Sequence, residues 1–366
     1  MERRSSMEQF DSVIKDVIHL VRFGAEGRSR DVKALARKMA QQYRKTVPEL
    51  SAALASIVVS EGSLRSAKRP LPVDADSRLA LARIVDAALA EKPVLPATLE
   101  QQLRQLVAEH LDSSALKLAG LSPSKSALLI GPPGVGKTMA AQWIARELRR
   151  PLVVLDLSSS ISSFLGKTGQ NVRQLFDFCK EFDCILLLDE VDAIAKKRAD
   201  ETDLGELKRL VNVLLQELDE WPEGSLVLAA TNHPDILDPA IWRRFDLTFN
   251  LPLPGLAERT EVLRRMPCLT SESMLLMLAD ISDGMNHAEI VSRVNAGRRS
   301  AVMNKSDEQE GVIEAFAERL RLLPMARRHD ISEKLISSGV SQRRASELTG
   351  TSRNTLRKHA KKEVSA

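Results

Sequence analysis

Aromatic side chains make up only 4% of the chain, with a single tyrosine and three tryptophans, so the core must be filled mostly by Leu, Ala, Val and Ile. The same scarcity argues against a surface that holds unpaired bases by stacking them on successive rings. Three cysteines, Cys179, Cys184 and Cys268, make neither a metal nor a disulfide framework, and a reducing compartment suits them. No apolar run approaches the ~20 residues needed to cross a bilayer. The opening MERRSSMEQF carries no apolar stretch of the signal-peptide kind, so a cytoplasmic location without membrane contact is expected. Neither HExxH nor GxSxG occurs, so degradation of a substrate would require a separate protease. Repeats and low-complexity tracts are also missing.

What is present is ordinary globular composition: 366 residues, 43% apolar and 28% charged, enough for several units. The net charge of +4 is unevenly spread. Residues 1–70 carry 14 Lys/Arg against 8 Asp/Glu, and residues 319–366 carry 12 against 4. Basic ends on an acidic middle point to polyanion contact at the ends, with solvated helix faces as the plain alternative.

Periodicity divides the chain further. Phe10, Val13, Ile14, Val17, Ile18 and Val21 fall on one helical stripe, and a second helix is expected through Leu35 and Met39. A helical N-terminal domain is therefore expected over 1–60. A linker with two helical runs, near 77–91 and 97–111, is expected over 61–117. From 127 onward, short apolar runs at 127–130, 152–157, 184–190, 225–232 and 247–253 alternate with helical segments. That alternation predicts an α/β fold with a parallel sheet buried on both faces. Helix returns over 256–320, and a compact basic segment follows Pro324.

Gly131-Pro-Pro133-Gly134-Val135-Gly136-Lys137-Thr138 lies between a predicted strand and a helix beginning at Met139. Strand, GxxxxGK[ST] and helix in that order make a phosphate-binding P-loop. The glycines let backbone N–H groups converge on phosphate oxygens, and the helix N-terminus adds partial positive charge. Lys137 is expected at the β- and γ-phosphates of ATP and Thr138 at Mg2+. Asp189 and Glu190 end the run ILLLDE, at a strand tip that faces the ligand crevice of an open sheet. Asp189 would hold the metal's water shell, and Glu190 would accept a proton from the attacking water.

With these motifs in place, the stretch from about Leu118 to Ser300 resembles AAA ATPases. DEVDAIAKKR is similar to the family's extended second motif, and LAATNHPDILDPAIWRRFD to its second region of homology. The resemblance implies an ATPase domain over 118–255, a helical lid over 256–323 and a hexameric ring. It also makes Asn232 the residue that helps orient the lytic water, and it places Arg243 and Arg244 where arginine fingers serve a neighbouring subunit. The two arginines are adjacent here, whereas the family commonly spaces them, so the sequence leaves open which one is the finger. Phe164-Leu165-Gly166 resembles the pore loop with which unfoldases and severing enzymes grip polypeptide; a core aromatic opening a helix is the alternative. GMNHAEI, 284–290, resembles a lid motif that approaches the nucleotide, with His287 where glycine is usual and Ala288 after it.

The C-terminal segment 324–366 reads as three short helices jointed at Gly339 and Gly350, which is helix-turn-helix logic. ASELTGTSRNTLRKHAKK resembles the Fis-type helix-turn-helix. That resemblance implies Ser352, Arg353, Asn354 and Arg357 on a recognition helix over duplex DNA, with Lys358 near phosphates. A basic hairpin for protein docking is the alternative. Enhancer-binding activators also join an ATPase to such a tail, but their GAFTGA loop does not occur here. The expected function is thus a protein-remodelling or translocating ATPase ring, brought to DNA by its tail. The alternative is a DNA-remodelling or DNA-loading ATPase of transposition, replication or defence.

Overall fold

The computed structural model describes residues 71–73, 80–159, 168–196, 204–337 and 340–352, together with scattered positions between 16 and 50. The chain divides into two compact units, 1–70 with 149–151, and 71–148 with 152–366. In the first unit Ala36, Met39 and Tyr43 are buried, and the Tyr43 hydroxyl donates to Asp16 Oδ2 at 2.6 Å. Residues 35, 36, 38 and 39 are helical, as the spacing of Leu35 and Met39 predicts.

The second unit is built on a six-stranded sheet: β1 (Arg83–Val85), β2 (Ser126–Ile130), β3 (Leu152–Asp156), β4 (Ile185–Asp189), β5 (Leu226–Thr231) and β6 (Leu247–Asn250). The spatial order is β1-β3-β4-β5-β2-β6, and every pairing is parallel except that of β1 with β3. Alternation of side chains sends the two halves of each strand's residues to opposite faces. Leu128, Val153, Leu155, Leu186, Leu188 and Val227 pack on one face, against α4 (Thr168–Glu181) and α5 (Leu204–Asp219). Leu129, Val154, Ile185, Leu187 and Leu228 pack on the other, against α1 (Ala97–Leu111) and α3 (Lys137–Leu148). A short helix, α2 (Ser113–Leu118), follows α1. Buried on both faces, the strands read as continuous apolar runs.

The helix expected near 77–91 is not formed among the described residues of that stretch. Ile84 and Val85 instead pair with Val153 and Leu152, as part of the antiparallel edge strand β1. An apolar run this short does not separate helix from strand by its period, and pairing to the open edge of β3 decided the outcome.

The segment expected to form a lid packs as a separate apolar core over α6 (Leu256–Arg264), α7 (Glu272–Ile281), α8 (His287–Asn304), α9 (Glu308–Ala315) and α10 (Ala317–Leu322). Two further helices, α11 (Met325–Ser337) and α12 (Gln342–Thr349), contribute Ile331, Leu335, Ala345 and Leu348 to that same core. Ion pairs from Arg344 to Glu310 (3.2 Å) and Glu314 (3.1 Å) fix α12 to α9. Ala345 and Leu348, from the segment read as a helix-turn-helix, are therefore part of the same core as these helices.

Helices α8 and α9 cross at glycine. A Cβ on Gly297 would lie 2.6 Å from the Gly311 carbonyl oxygen and from Val312 Cα, both rigid backbone atoms. Gly297→Ala should therefore lose about 1–3 kcal/mol of stability by overpacking. The loss should exceed the helix-propensity gain of about 1 kcal/mol from replacing glycine. Equilibrium urea denaturation measures this; an unchanged or raised midpoint would mean that the crossing has room.

Candidate functional site

The crevice at the carboxyl ends of the strands gathers the residues picked out from the motifs. Strand β2 lies between β5 and β6, with Ile130 opposite Thr231 and Asn250. Helix α3 begins immediately beyond the loop, at Lys137. Connections leave this strand for elements on either side, which is where open α/β sheets bind ligands.

Pro133 and Gly134 in the loop and Met139 in the first turn of α3 are exposed, while Val135 is buried and pins the loop to the core beneath α3. Gly136 adopts a left-handed φ of +100° and faces open space, a cradle that any Cβ would enter. The Lys137 ammonium is drawn inward. It donates to the carbonyl oxygens of Gly131 (2.7 Å) and Pro132 (3.0 Å), and to Asn232 Oδ1 (2.7 Å). Burial pushes its pKa below the ordinary lysine value, and the charges of Asp189, Asp192 and Glu190 oppose that shift.

Thr138 Oγ1 donates to Asp189 Oδ2 at 3.3 Å, which brings together the hydroxyl and the carboxylate expected at a divalent metal. Such a pair suits a hard cation that keeps most of its shell for water and phosphate oxygens. Among the described residues no group of three or more His, Cys, Asp and Glu forms a metal cage of its own. The residues present therefore fit a nucleotide with a divalent metal, which Thr138 and Asp189 would hold.

Glu190 follows β4 with φ +56°, a left-handed backbone uncommon for a residue with a Cβ. Its amide donates to Asp189 Oδ1 at 3.1 Å, and its side chain is exposed at the strand tip. Strain of this kind tends to collect at functional sites. Nothing in the sequence signalled it.

The lid reaches the same loop. Asn286 caps α8 through a reciprocal capping box with Glu289. The Ala288 amide donates to the Gly134 carbonyl oxygen at 3.1 Å. A Cβ on Gly134, which sits at φ +74°, would come 2.6 Å from Asn286 Oδ1. His287 lies beside the Val94 backbone, where burial lowers its imidazole pKa and the Glu258 carboxylate acts in the opposite direction.

The two adjacent arginines differ. Arg244 forms an ion pair with Asp219 at 2.7 Å, and its carbonyl oxygen accepts from Ser126 Oγ. Arg243 is exposed, and its guanidinium meets no partner among the described residues. Ser126 opens β2 and the phosphate loop follows its other end, so a five-residue strand separates Arg244 from the loop. At about 3.3 Å per residue, that is ~13 Å or more. Both arginines lie toward the opposite end of the sheet from Lys137.

Sequence reasoning overlooked Asp192. It is only 1% exposed, and its Oδ1 accepts from both Thr231 Oγ1 and the Asn232 amide. Phe164, Leu165 and Gly166 lie outside the described residues, as do Arg353, Asn354, Arg357 and Lys358. Ser352 is described and exposed. Among the described residues no helix is long and apolar enough to cross a membrane.

Comparison with known proteins adds the following. Residues 127–253 match the model of the ATPase family associated with various cellular activities (AAA). An uncharacterized AAA family ATPase, y4kL, of Sinorhizobium fredii is 34% identical over 234 residues, covering 62% of this chain and 71% of that protein. The proteasome-activating nucleotidase of Pyrococcus abyssi is 34% identical, over 63% of this chain and 62% of its own. The ATP-dependent zinc metalloprotease FtsH of Acidothermus cellulolyticus is 38% identical over 50% of this chain, but only 30% of its own length is covered. The chain thus spans less than two thirds of the nucleotidase and under a third of the metalloprotease.

Proposed function

The chain belongs to the AAA family of ATPases, and from that premise we propose that it is a Mg2+-dependent, hexameric ring motor that remodels or translocates a protein substrate. The observation that carries the motor reading is the meeting of Lys137, Thr138, Asp189 and Asn232 around one phosphate loop, with the lid docked on Gly134. The relative named as a proteasome-activating nucleotidase supports a protein substrate and a separate protease partner, and the one named as a metalloprotease supports a protein substrate.

In this reading the backbone of 133–136 and the Lys137 ammonium hold the β- and γ-phosphates, and Val135 keeps the loop seated. Thr138 and Asp189 hold Mg2+, which when bound neutralises phosphoryl oxygen charge. The Glu190 carboxylate takes the proton of the attacking water, and the Asn232 amide orients that water. Lid residues His287 and Ala288 close over the nucleotide. Arg243, without an ion-pair partner among the described residues and distant from its own loop, reaches the γ-phosphate held by a neighbouring subunit. Arg244 is held by Asp219 in a supporting role. Activity then depends on assembly.

Phe164, Leu165 and Gly166 supply the grip on an extended polypeptide. Phe164→Ala should retain ATP hydrolysis while unfolding of a tagged fluorescent protein falls to background. Unfolding at the wild-type rate would overturn the protein-substrate reading.

The second reading, a DNA-remodelling or DNA-loading ATPase, draws on the C-terminal helices. Ser341 caps α12, and Gly350 ends it in a left-handed turn at φ +67°, a joint from which a recognition helix over Ser352–Lys358 would start. Because α11 and α12 complete the lid core, a deletion from 325 would expose that core and confound the result. The informative truncation ends at Ser352. Duplex DNA should then stimulate hydrolysis by the full chain at low salt and leave the truncated chain unaffected. Stimulation that survives truncation would remove the tail from DNA recognition. No stimulation of either form would leave the protein motor without a DNA tether.

A further inference from the structure

Asp192 lies in the turn after β4, three residues beyond Asp189, and is almost wholly buried. Taking a carboxylate out of water costs several kcal/mol unless its neighbours replace the lost hydration. Here the neighbours are the exit of β5. Asp192 Oδ1 accepts from Thr231 Oγ1 and from the Asn232 amide, both at 3.1 Å. Thr231 Oγ1 in turn accepts from the His233 amide at 3.1 Å. One carboxylate oxygen therefore governs three successive residues at the point where the strand opens into the crevice.

Two of the three also touch the phosphate loop. The Thr231 carbonyl oxygen accepts from the Gly131 amide at 3.3 Å, and Asn232 Oδ1 accepts from Lys137 Nζ at 2.7 Å. The turn is also stitched to β5 from the other side, since the Val191 amide donates to the Ala230 carbonyl oxygen. The backbone N–H of Asn232 is held by Asp192 and its side-chain Oδ1 accepts from Lys137, which leaves the Nδ2 hydrogens to serve as donors.

We propose that Asp192 is a positioning residue for hydrolysis, which sets the place of Asn232 at the exit of β5. The proposal rests on the reading of Asn232 as the residue that orients the lytic water. A brace that merely held β4 to β5 would act on stability alone. A positioning residue acts on turnover through Asn232, so its loss is not additive with the loss of Asn232.

The test is a double-mutant cycle in the full chain, read as kcat for ATP hydrolysis alongside the Kd of a fluorescent ADP analogue. Asp192→Ala should lower kcat by about tenfold or more, as misplacement of a reacting group does, with Kd held within about threefold. Asp192→Ala combined with Asn232→Ala should be no slower than Asn232→Ala alone. Effects that multiply would overturn the proposal and leave Asp192 a brace. Should Asp192→Ala fail to fold, Thr231→Val removes, at constant shape, one of the two hydrogen bonds that seat Asp192 against the end of β5. That variant should lower kcat with Kd unchanged, and Thr231→Ser should restore it; wild-type kcat in Thr231→Val overturns the proposal. Wild-type turnover by Asn232→Ala would instead sink the assignment of Asn232, and the role given to Asp192 with it. Slow Asn232→Ala beside fast Asp192→Ala would keep the first and reject the second.

Discussion

Glu190→Gln is expected to abolish turnover while ATP still binds. General base catalysis contributes about 10²- to 10⁴-fold, and an amide of the same shape has no basic oxygen with which to accept the proton. The substitution is gentle on structure. Glu190 is exposed, and its backbone bond to Asp189 Oδ1 does not involve the side chain that changes. Kd for ATP, read by fluorescence, should stay near wild type while kcat collapses. Lys137→Ala gives the contrasting result, because the ammonium belongs to the phosphate loop itself and its loss should remove binding. Normal turnover in Glu190→Gln would place the base elsewhere on the crevice wall, and loss of ATP binding would assign Glu190 to the nucleotide rather than to water.

The second large effect concerns the adjacent arginines. Arg243→Ala should reduce hydrolysis by about 10³- to 10⁵-fold, the range over which an arginine finger acts. Arg244→Ala should instead lose its partly exposed ion pair with Asp219, worth about 0–1 kcal/mol, and keep most of its turnover. Mixing makes the distinction sharper. Subunits carrying Arg243→Ala keep an intact phosphate loop, and subunits carrying Lys137→Ala keep an intact finger. Co-assembled, they should recover activity that neither shows alone. Failure of the mixture, with both proteins assembling normally, would deny that Arg243 works across a subunit boundary. The structure separates the two arginines where the sequence did not, because the separation lies in the position of Asp219, 25 residues upstream of Arg244.

Legibility from sequence followed the range of the forces involved. The strands at 126–130 and 185–189 were visible because burial on both faces requires unbroken apolar runs. The phosphate loop was visible because its glycines and Lys137 satisfy a local backbone geometry within eight residues. Strand β1 was not visible, since Ile84 and Val85 owe their conformation to a distant edge at Leu152 and Val153. Asp192 was overlooked for a related reason. In the run DEVD the first two acidic residues account for the chemistry, and only the packing of β5 beside the turn shows the third to be buried. The left-handed Glu190 was hidden altogether, because such strain is imposed from outside the residue. The end of α12 at Gly350 was legible, but the small apolar set of α11 and α12 gave no sign that α7–α10 would claim it.

That shared core has a mechanical consequence. A load applied to the chain beyond Ser352 enters α12 and is borne at Arg344, through Glu310 and Glu314, and at Leu348 and Ile331, which pack in the lid interior. The lid in turn touches the phosphate loop at Gly134 through the amide of Ala288. A pull on the tail is therefore a torque on the wall of the nucleotide crevice, and an anchored tail would make this engine sensitive to tension.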